Sequence, residues 1–411
     1  MFFILIFFFS FSFETIILKY KTEKPIINPN NDTETFISLS RNNIYTFFNI
    51  GNPTQIIKTY IRMMLFQYYF LDKTESNYYN KNISKTIEIK RKEYFISSNF
   101  QIGYSIKENF LLETENKSNI IAKLDTTIAE NTTNIKEPGL IGFNFAYFND
   151  DPYTNFIKEL KSKNYIDSYL FSIEYINKEE EGEIIIGNYS HKNYNYKEEN
   201  FKFSKIDLGM SSMIWNIYFN KIFIGNEKFE QNLIADLLIE EGLINAPLNY
   251  REMFLNTVYN KSENLNKCFE TKNLGNIYYK CDEDTNIKDL PPLTFISYDL
   301  NQTFILTYED LFYKSNGKLY FLVYFNTLFT FWRWKLGKPF FKKYKLFFNQ
   351  DKYLVGIYKD DNKFNWKIVI ILILSLTILL IVGFIIVQLK KFRRRRRKNE
   401  IDDYYEYIEK I

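Results

Sequence analysis

Histidine is almost missing from this chain. His191 is the only one in 411 residues, and a Ser-His-Asp or Cys-His nucleophile needs an imidazole held against it. His191 lies in the polar stretch Gly187-Asn-Tyr-Ser-His-Lys-Asn and reads as a solvated loop residue. With only two cysteines besides, a zinc site built from His and Cys lacks ligands, and no metal or cofactor is expected. Carboxylates remain as the reacting groups of any enzyme here. Glycine (14) and proline (9) are scarce as well, while Asn, Lys, Ile, Phe and Tyr abound. That skew reads as a coding bias, so no single Asn, Lys or aromatic residue counts as a signal.

Net charge is also lacking where a nucleic-acid reader would carry it. The formal +4 comes from residues 390–411, with nine Lys or Arg against five Asp or Glu. The rest of the chain balances at 44 of each sign. Nucleic acid is therefore not expected as a partner.

Two apolar runs are present. Met1–Phe13 is almost wholly apolar over Phe2–Phe9 and closes on Ser10-Phe11-Ser12, the small-residue pattern of a signal peptidase site. An uncleaved anchor is the alternative, although the run is short for one. The second run, Ile368–Val387, holds twenty uncharged residues between Lys367 and the cations Lys390, Lys391 and Arg393–Lys398. A helix of that length crosses a hydrocarbon layer of about 30 Å, and the basic block is expected to stay cytoplasmic. Residues 1–13 are thus expected to be a signal peptide, 367–389 a transmembrane helix and 390–411 a basic tail that attracts anionic lipid. The protein reads as single-pass type I, with its ectodomain lumenal or extracellular. Tyr405-Glu406-Tyr407-Ile408 in the tail fits a short tyrosine sorting pattern.

Seven Asn-x-Ser/Thr sequons, at Asn31, Asn82, Asn116, Asn131, Asn188, Asn260 and Asn301, all fall before the second run and are candidate glycosylation sites. Between residues 42 and 358 the pattern is one of short alternating or apolar segments with turn residues between them, which predicts an all-β protein with a few helices. Helical spacing occurs in Thr154–Lys163 and Asn249–Tyr259. No exact repeat is visible, although Ile50-Gly51-Asn52 and Ile224-Gly225-Asn226 open similar turns after strands.

Landmarks follow one another along residues 42–359: Ile50-Gly-Asn-Pro-Thr-Gln55, Gly139-Leu-Ile-Gly-Phe143, Tyr169-Leu-Phe-Ser-Ile173, Gly182–Gly187, Ile214-Trp-Asn-Ile217, Ala246-Pro247, and Trp334-Lys-Leu-Gly337 running to Val355-Gly-Ile357. In this order they resemble the pepsin-like aspartic proteases. The resemblance implies a bilobal fold, with an N-terminal β lobe over 42–203 and a C-terminal β lobe over 204–360. It also implies an Asp-Thr-Gly turn from each lobe, since two carboxylates sharing a proton serve as base and acid in peptide hydrolysis. Counting along the family pattern places the first turn at Arg62-Met63-Met64 and the second at Leu238-Ile239-Glu240, so both aspartates are missing. Asp236 is the possible substitute, being two residues away and on the same strand face. In the flap region, Thr86–Asn99, Arg91 stands where the family keeps a tyrosine. Leu124-Asp125-Thr126-Thr127 lies on the wrong stretch for the cleft.

Two functions follow from the resemblance. The first is a catalytically inactive pseudoprotease that binds a peptide or protein segment in a lumenal cleft. The alternative is an active endopeptidase with an atypical dyad. A buried guanidinium needs a partner, and Glu240 or Glu241 is expected to pair with Arg62 across the cleft. Cys268 and Cys281 close a short loop in an oxidising compartment, where a disulfide persists, and the Tyr-Tyr-Lys-Cys281 end resembles a family cysteine.

Overall fold

In the computed structural model, the described residues are 14–95, 101–130, 137–145, 155–176, 180–188, 201–207, 214–229, 233–259, 267–273, 275–288, 290–327, 333–358, 375, 377 and 381–394. The chain divides into two compact units, Met1–Tyr358 and Lys359–Ile411. The first unit is built of β-strands arranged in sheets of thirteen, eight and four strands, with short helices between them.

Alternation is clearest in the strands that lead to the first loop. In Ile44–Ile50 and Gln55–Arg62 every second residue is buried, and the β-branched and aromatic residues that dominate them suit a half-buried pleated surface. Gly51 makes the turn between them with φ 82°, a left-handed conformation that a side chain disfavours.

A four-strand arrangement occurs twice. In the first copy, Gly139–Gly142 runs parallel to Gln55–Arg62 and antiparallel to Tyr68–Asp72, so it sits between the two strands that flank loop 63–67. Tyr68–Asp72 in turn runs parallel to Asn119–Glu130. In the second copy, Trp334–Leu336 runs parallel to Leu233–Leu237 and antiparallel to Ile244–Pro247, and so sits between the strands flanking loop 238–243. Ile244–Pro247 is parallel to Lys318–Asn326. Each middle strand meets a glycine at its end. A Cβ on Gly142 would fall 2.3 Å from the Leu65 carbonyl oxygen, and one on Gly337 would fall 2.4 Å from those of Glu241 and Leu243. The glycines let each loop lie directly on backbone.

The expected lobe boundaries need correction. Ile16–Thr22 is an interior strand of the large sheet, paired along its length with Glu181–Ile186, so the first lobe begins well before residue 42. The division at 203/204 does not separate the sheets either. Phe201–Lys205, Leu346–Asn349 and Leu354–Tyr358 join the same sheet through Leu170–Tyr175. Trp215 sits where the halves meet, wholly buried, with its indole N–H donating to the Phe143 carbonyl at 2.7 Å.

Residues 23–43 form a strap from the first strand to the second loop. Its helix, Asp32–Ser40, is capped by Asn31, whose side chain accepts from the N–H groups of Thr33 and Glu34, as a helix N-terminus requires. Phe36 stacks on Tyr278 at 4.9 Å and meets Tyr324 edge-on. Asp32 pairs with Lys280 at 2.7 Å.

In the second unit, residues 381–394 are helical. Most of the expected span before them lies outside the described residues, as do Met1–Phe13 and the tail beyond Arg394. Among the described residues no helix is long and apolar enough to cross a membrane.

Candidate functional site

The strand Gln55–Arg62 buries Ile57, Thr59 and Ile61 and turns Ile56, Lys58, Tyr60 and Arg62 to its other face. Tyr45 lies opposite Tyr60 on the neighbouring strand. This face carries a run of cations and rings. The Lys58 ammonium lies 4.1 Å from the Tyr45 ring centroid and 4.9 Å from that of Tyr60, while the Arg62 guanidinium lies 5.6 Å from the Tyr60 ring. These are cation–π distances. Carboxylates close both ends. Glu23 accepts from Lys58 at 2.6 Å, from the Tyr60 hydroxyl at 3.1 Å and from the Asn43 amide at 2.8 Å. Burial opposes ionisation of Glu23, but these donors, led by Lys58, outweigh it and hold its pKa below the usual carboxylate range.

At the other end Arg62 donates to Glu137 at 2.5 Å, the two side chains being 18% and 30% exposed. The expected pairing of Arg62 with Glu240 or Glu241 is thus corrected: its ion-pair partner is Glu137, which the chain brings in just before the middle strand Gly139–Gly142. Pairing of that strand with Gln55–Arg62 sets Gly142 beside Arg62, and Glu137 arrives with it.

Glu240 has a different task. Its carboxylate accepts from the backbone N–H of Met63 at 3.0 Å and of Met64 at 2.8 Å, tying the second loop to the first. Burial pushes its pKa up, while the bonds from Met63 and Met64 and the charge of Arg62 oppose the rise. Leu238 and Ile239 are wholly buried. The Leu238 N–H donates to the Leu336 carbonyl, and Glu241 turns back on Leu238 through its own N–H, both at 3.0 Å. Glu241 is held to about 7, raised by burial and by Glu240 against the lowering charge of Lys335. The loop is braced from behind. The Asn42 amide side chain donates to the Ile239 carbonyl at 2.7 Å, its backbone N–H donates to the Glu240 carbonyl at 2.7 Å, and Gly242 N–H donates to Ser40 at 2.8 Å.

Asp236 is on strand Leu233–Leu237, opposite Asn216. Arg333 donates to it at 3.1 Å and also lies 3.6 Å from Asp207. Burial raises the pKa of Asp236 against the attraction of Arg333 and Lys335. Asp236 and Arg62 therefore have separate partners. A guanidinium stays protonated and a leucine has no proton to exchange, so positions 62 and 238 supply neither base nor acid. What the geometry supplies is two loops locked to each other beside a face of aromatic rings and neutralised cations.

The remaining candidates fall elsewhere. Arg91 lies on the strand Glu88–Phe95, opposite Ser105 and next to a register shift. Asp125 is buried in the strand Asn119–Glu130 and is held by Lys90 at 2.6 Å and Lys163 at 3.1 Å. Cys268 and Cys281 form a disulfide between adjacent antiparallel strands. Among the sequons, Asn82, Asn116, Asn188 and Asn301 are exposed and Asn31 is half-buried at its helix cap. Asn131, Asn260 and His191 lie outside the described residues. Glu23, Tyr45, Lys58, Tyr60 and Glu137 escaped sequence reasoning. Alternation alone could have put Lys58 and Tyr60 on the face of Arg62, but nothing local marks Glu137.

Residues 67–359 match the family model described as Eukaryotic aspartyl protease. No curated protein matches the chain.

Proposed function

Because the chain belongs to the eukaryotic aspartyl protease family, we propose that it is a membrane-anchored, catalytically inactive member whose lumenal cleft binds a peptide or protein segment. One observation carries this reading. At the two loops where that chemistry needs a pair of carboxylates sharing a proton, the chain has Arg62, neutralised by Glu137, and the buried Leu238. The loops are nevertheless held together by Glu240, so the site keeps a defined shape without an acid–base pair. The rings of Tyr45 and Tyr60 offer apolar surface with polar edges, which suits contact with an extended segment. Anchoring rests on the uncharged run Ile368–Val387 and the cations after it.

The competing reading, an active endopeptidase, rests on Asp236, which is buried with a raised pKa two residues before position 238. The two are separated by incubating the purified full-length protein with denatured protein substrate at acid pH. No cleavage is expected. Cleavage that pepstatin blocks and that Asp236→Asn abolishes would establish the competing reading. In parallel, a peptide library is panned on the full-length protein, and selected peptides are expected to lose affinity when Tyr60→Ala is introduced.

A further inference from the structure

A cavity of about 400 Å³ lies between the strap and the second half of the chain. Neither Arg62, Asp236 nor Glu240 lines it, and it meets the cleft face only at Glu23, on its edge. Its apolar wall comes from Leu39 of the strap helix and from Phe312, Leu322 and Pro339. Leu39 and Leu322 belong to the small core cluster around Phe36 and Tyr278, so this wall is a rigid, packed edge. The volume falls within the range of small-molecule sites, which typically combine an apolar lining with a few placed polar groups.

The polar lining has an uneven charge balance. Lys338 and Lys342 share one carboxylate, Glu180. Lys343 shares Asp310 with the cap of helix Tyr308–Leu311, where the Thr307 N–H and hydroxyl also donate to it. Glu23, at the edge, is taken by Lys58. Arg41 is exposed and has no ion-pair partner among the described residues, and the one remaining acid is Glu309, which accepts only from the adjacent Tyr308 hydroxyl at 3.3 Å. The backbone of Arg41 is fixed in place all the same. It forms a backbone bridge to Glu241, and its neighbours Ser40 and Asn42 are bonded to the second loop.

We propose that this cavity is a binding site for a small organic monoanion, an apolar or aromatic body bearing one carboxylate. The body lies on Leu39, Phe312 and Leu322, and the carboxylate faces Arg41. A guanidinium matches a carboxylate in a two-bond fork, while the apolar wall gives free inorganic anions nothing to bury. A bound ligand would also rest against Gly242, whose hypothetical Cβ falls 1.9 Å from the Leu39 carbonyl oxygen. The strap and the second loop therefore leave no slack between them.

The test is isothermal titration of the full-length protein in lipid nanodiscs with indole-3-propionate and with its primary amide. The acid is expected to bind at least about tenfold more tightly than the amide, a difference of about 1.4 kcal/mol. Arg41→Gln is expected to bring the acid down to the affinity of the amide, and Leu322→Trp, which fills the cavity, to abolish binding of both. Thermal unfolding of each variant confirms that it is folded. Equal binding of acid and amide, undiminished binding by Arg41→Gln, or no binding of the acid to the folded protein at millimolar concentration would each overturn the proposal.

Discussion

Glu240 occupies the third position of the second loop, and the two backbone N–H groups it accepts would otherwise lack that partner. Hydrogen bonds to a charged group are worth about 1.5–3 kcal/mol each, and a buried donor left unmade adds its desolvation cost. Glu240→Ala is therefore expected to lower stability by about 3 kcal/mol in urea unfolding, and Glu240→Gln by less, because one amide oxygen still accepts. Arg62 differs, because its pair with Glu137 is partly open to solvent. Arg62→Met is expected to cost about 1 kcal/mol, so a loss as large as that of Glu240→Ala would contradict the division of roles between them. The sequence marked both residues but mispaired them. Residue types and spacing show that a buried cation needs an acid, yet Glu137 is 75 positions from Arg62 and Glu240 is 177 from Met63. Only the arrangement of strands ranks such distant candidates.

Among the elements, the strap helix Asp32–Ser40 was the least legible. Of its three large apolar residues, Phe36, Ile37 and Leu39, it buries only Phe36 and Leu39, too few for a clear helical stripe, and its capping residue Asn31 sits in a chain where Asn is common. Tertiary packing supplies what its sequence lacks: Phe36 is 5% exposed among Tyr278 and Tyr324. Phe36→Ala is expected to cost about 3–4 kcal/mol, read by chemical denaturation, and to loosen the second loop through Ser40 and Asn42. Faster exchange of the Gly242 amide, whose acceptor is Ser40, would report that loosening. The disulfide Cys268–Cys281 was legible because thirteen positions is a short loop in a chain with no other cysteine. Replacing both residues with Ser is expected to cost about 3 kcal/mol in the chain-entropy view, again measured by unfolding in denaturant.

For the whole molecule, two half-buried carboxylates set opposite ends of a stability profile. Glu241 is raised from 4.5 to about 7, so the fold favours its protonated form. That contribution is complete below about pH 4.5 and is lost as pH rises through about 7, to a total of at most about 3 kcal/mol. Glu180 is lowered from 4.5 to about 2; burial opposes its charge, but Lys338, Thr22 and Lys342 outweigh it. Its contribution is complete above about 4.5 and is lost as pH falls through about 2. Lys338 feels the same pair differently, since its own burial outweighs the attraction and lowers its pKa. The net gain from the pair at neutral pH is therefore smaller than the carboxylate alone indicates. Stability is expected to be highest near pH 4–5, and Glu241→Gln should flatten the decline between pH 4.5 and 7 in thermal unfolding. Anchoring is tested on the same scale: the full-length protein is expected to stay in the membrane pellet after alkaline extraction, and deletion of residues 368–398 to release it.

By itself, the sequence determined the strand-rich class through alternation, the tight turns through Gly51 and Gly225, and the family landmarks through their order. These are local or compositional properties, decided within a few residues. The tertiary structure alone decided that the four-strand arrangement is repeated, that strands from both halves share one sheet, that Arg62 goes to Glu137, and that Glu240 clasps the opposite loop. Each depends on which distant backbone segments lie side by side, and strand pairing settles that only once the whole chain has folded.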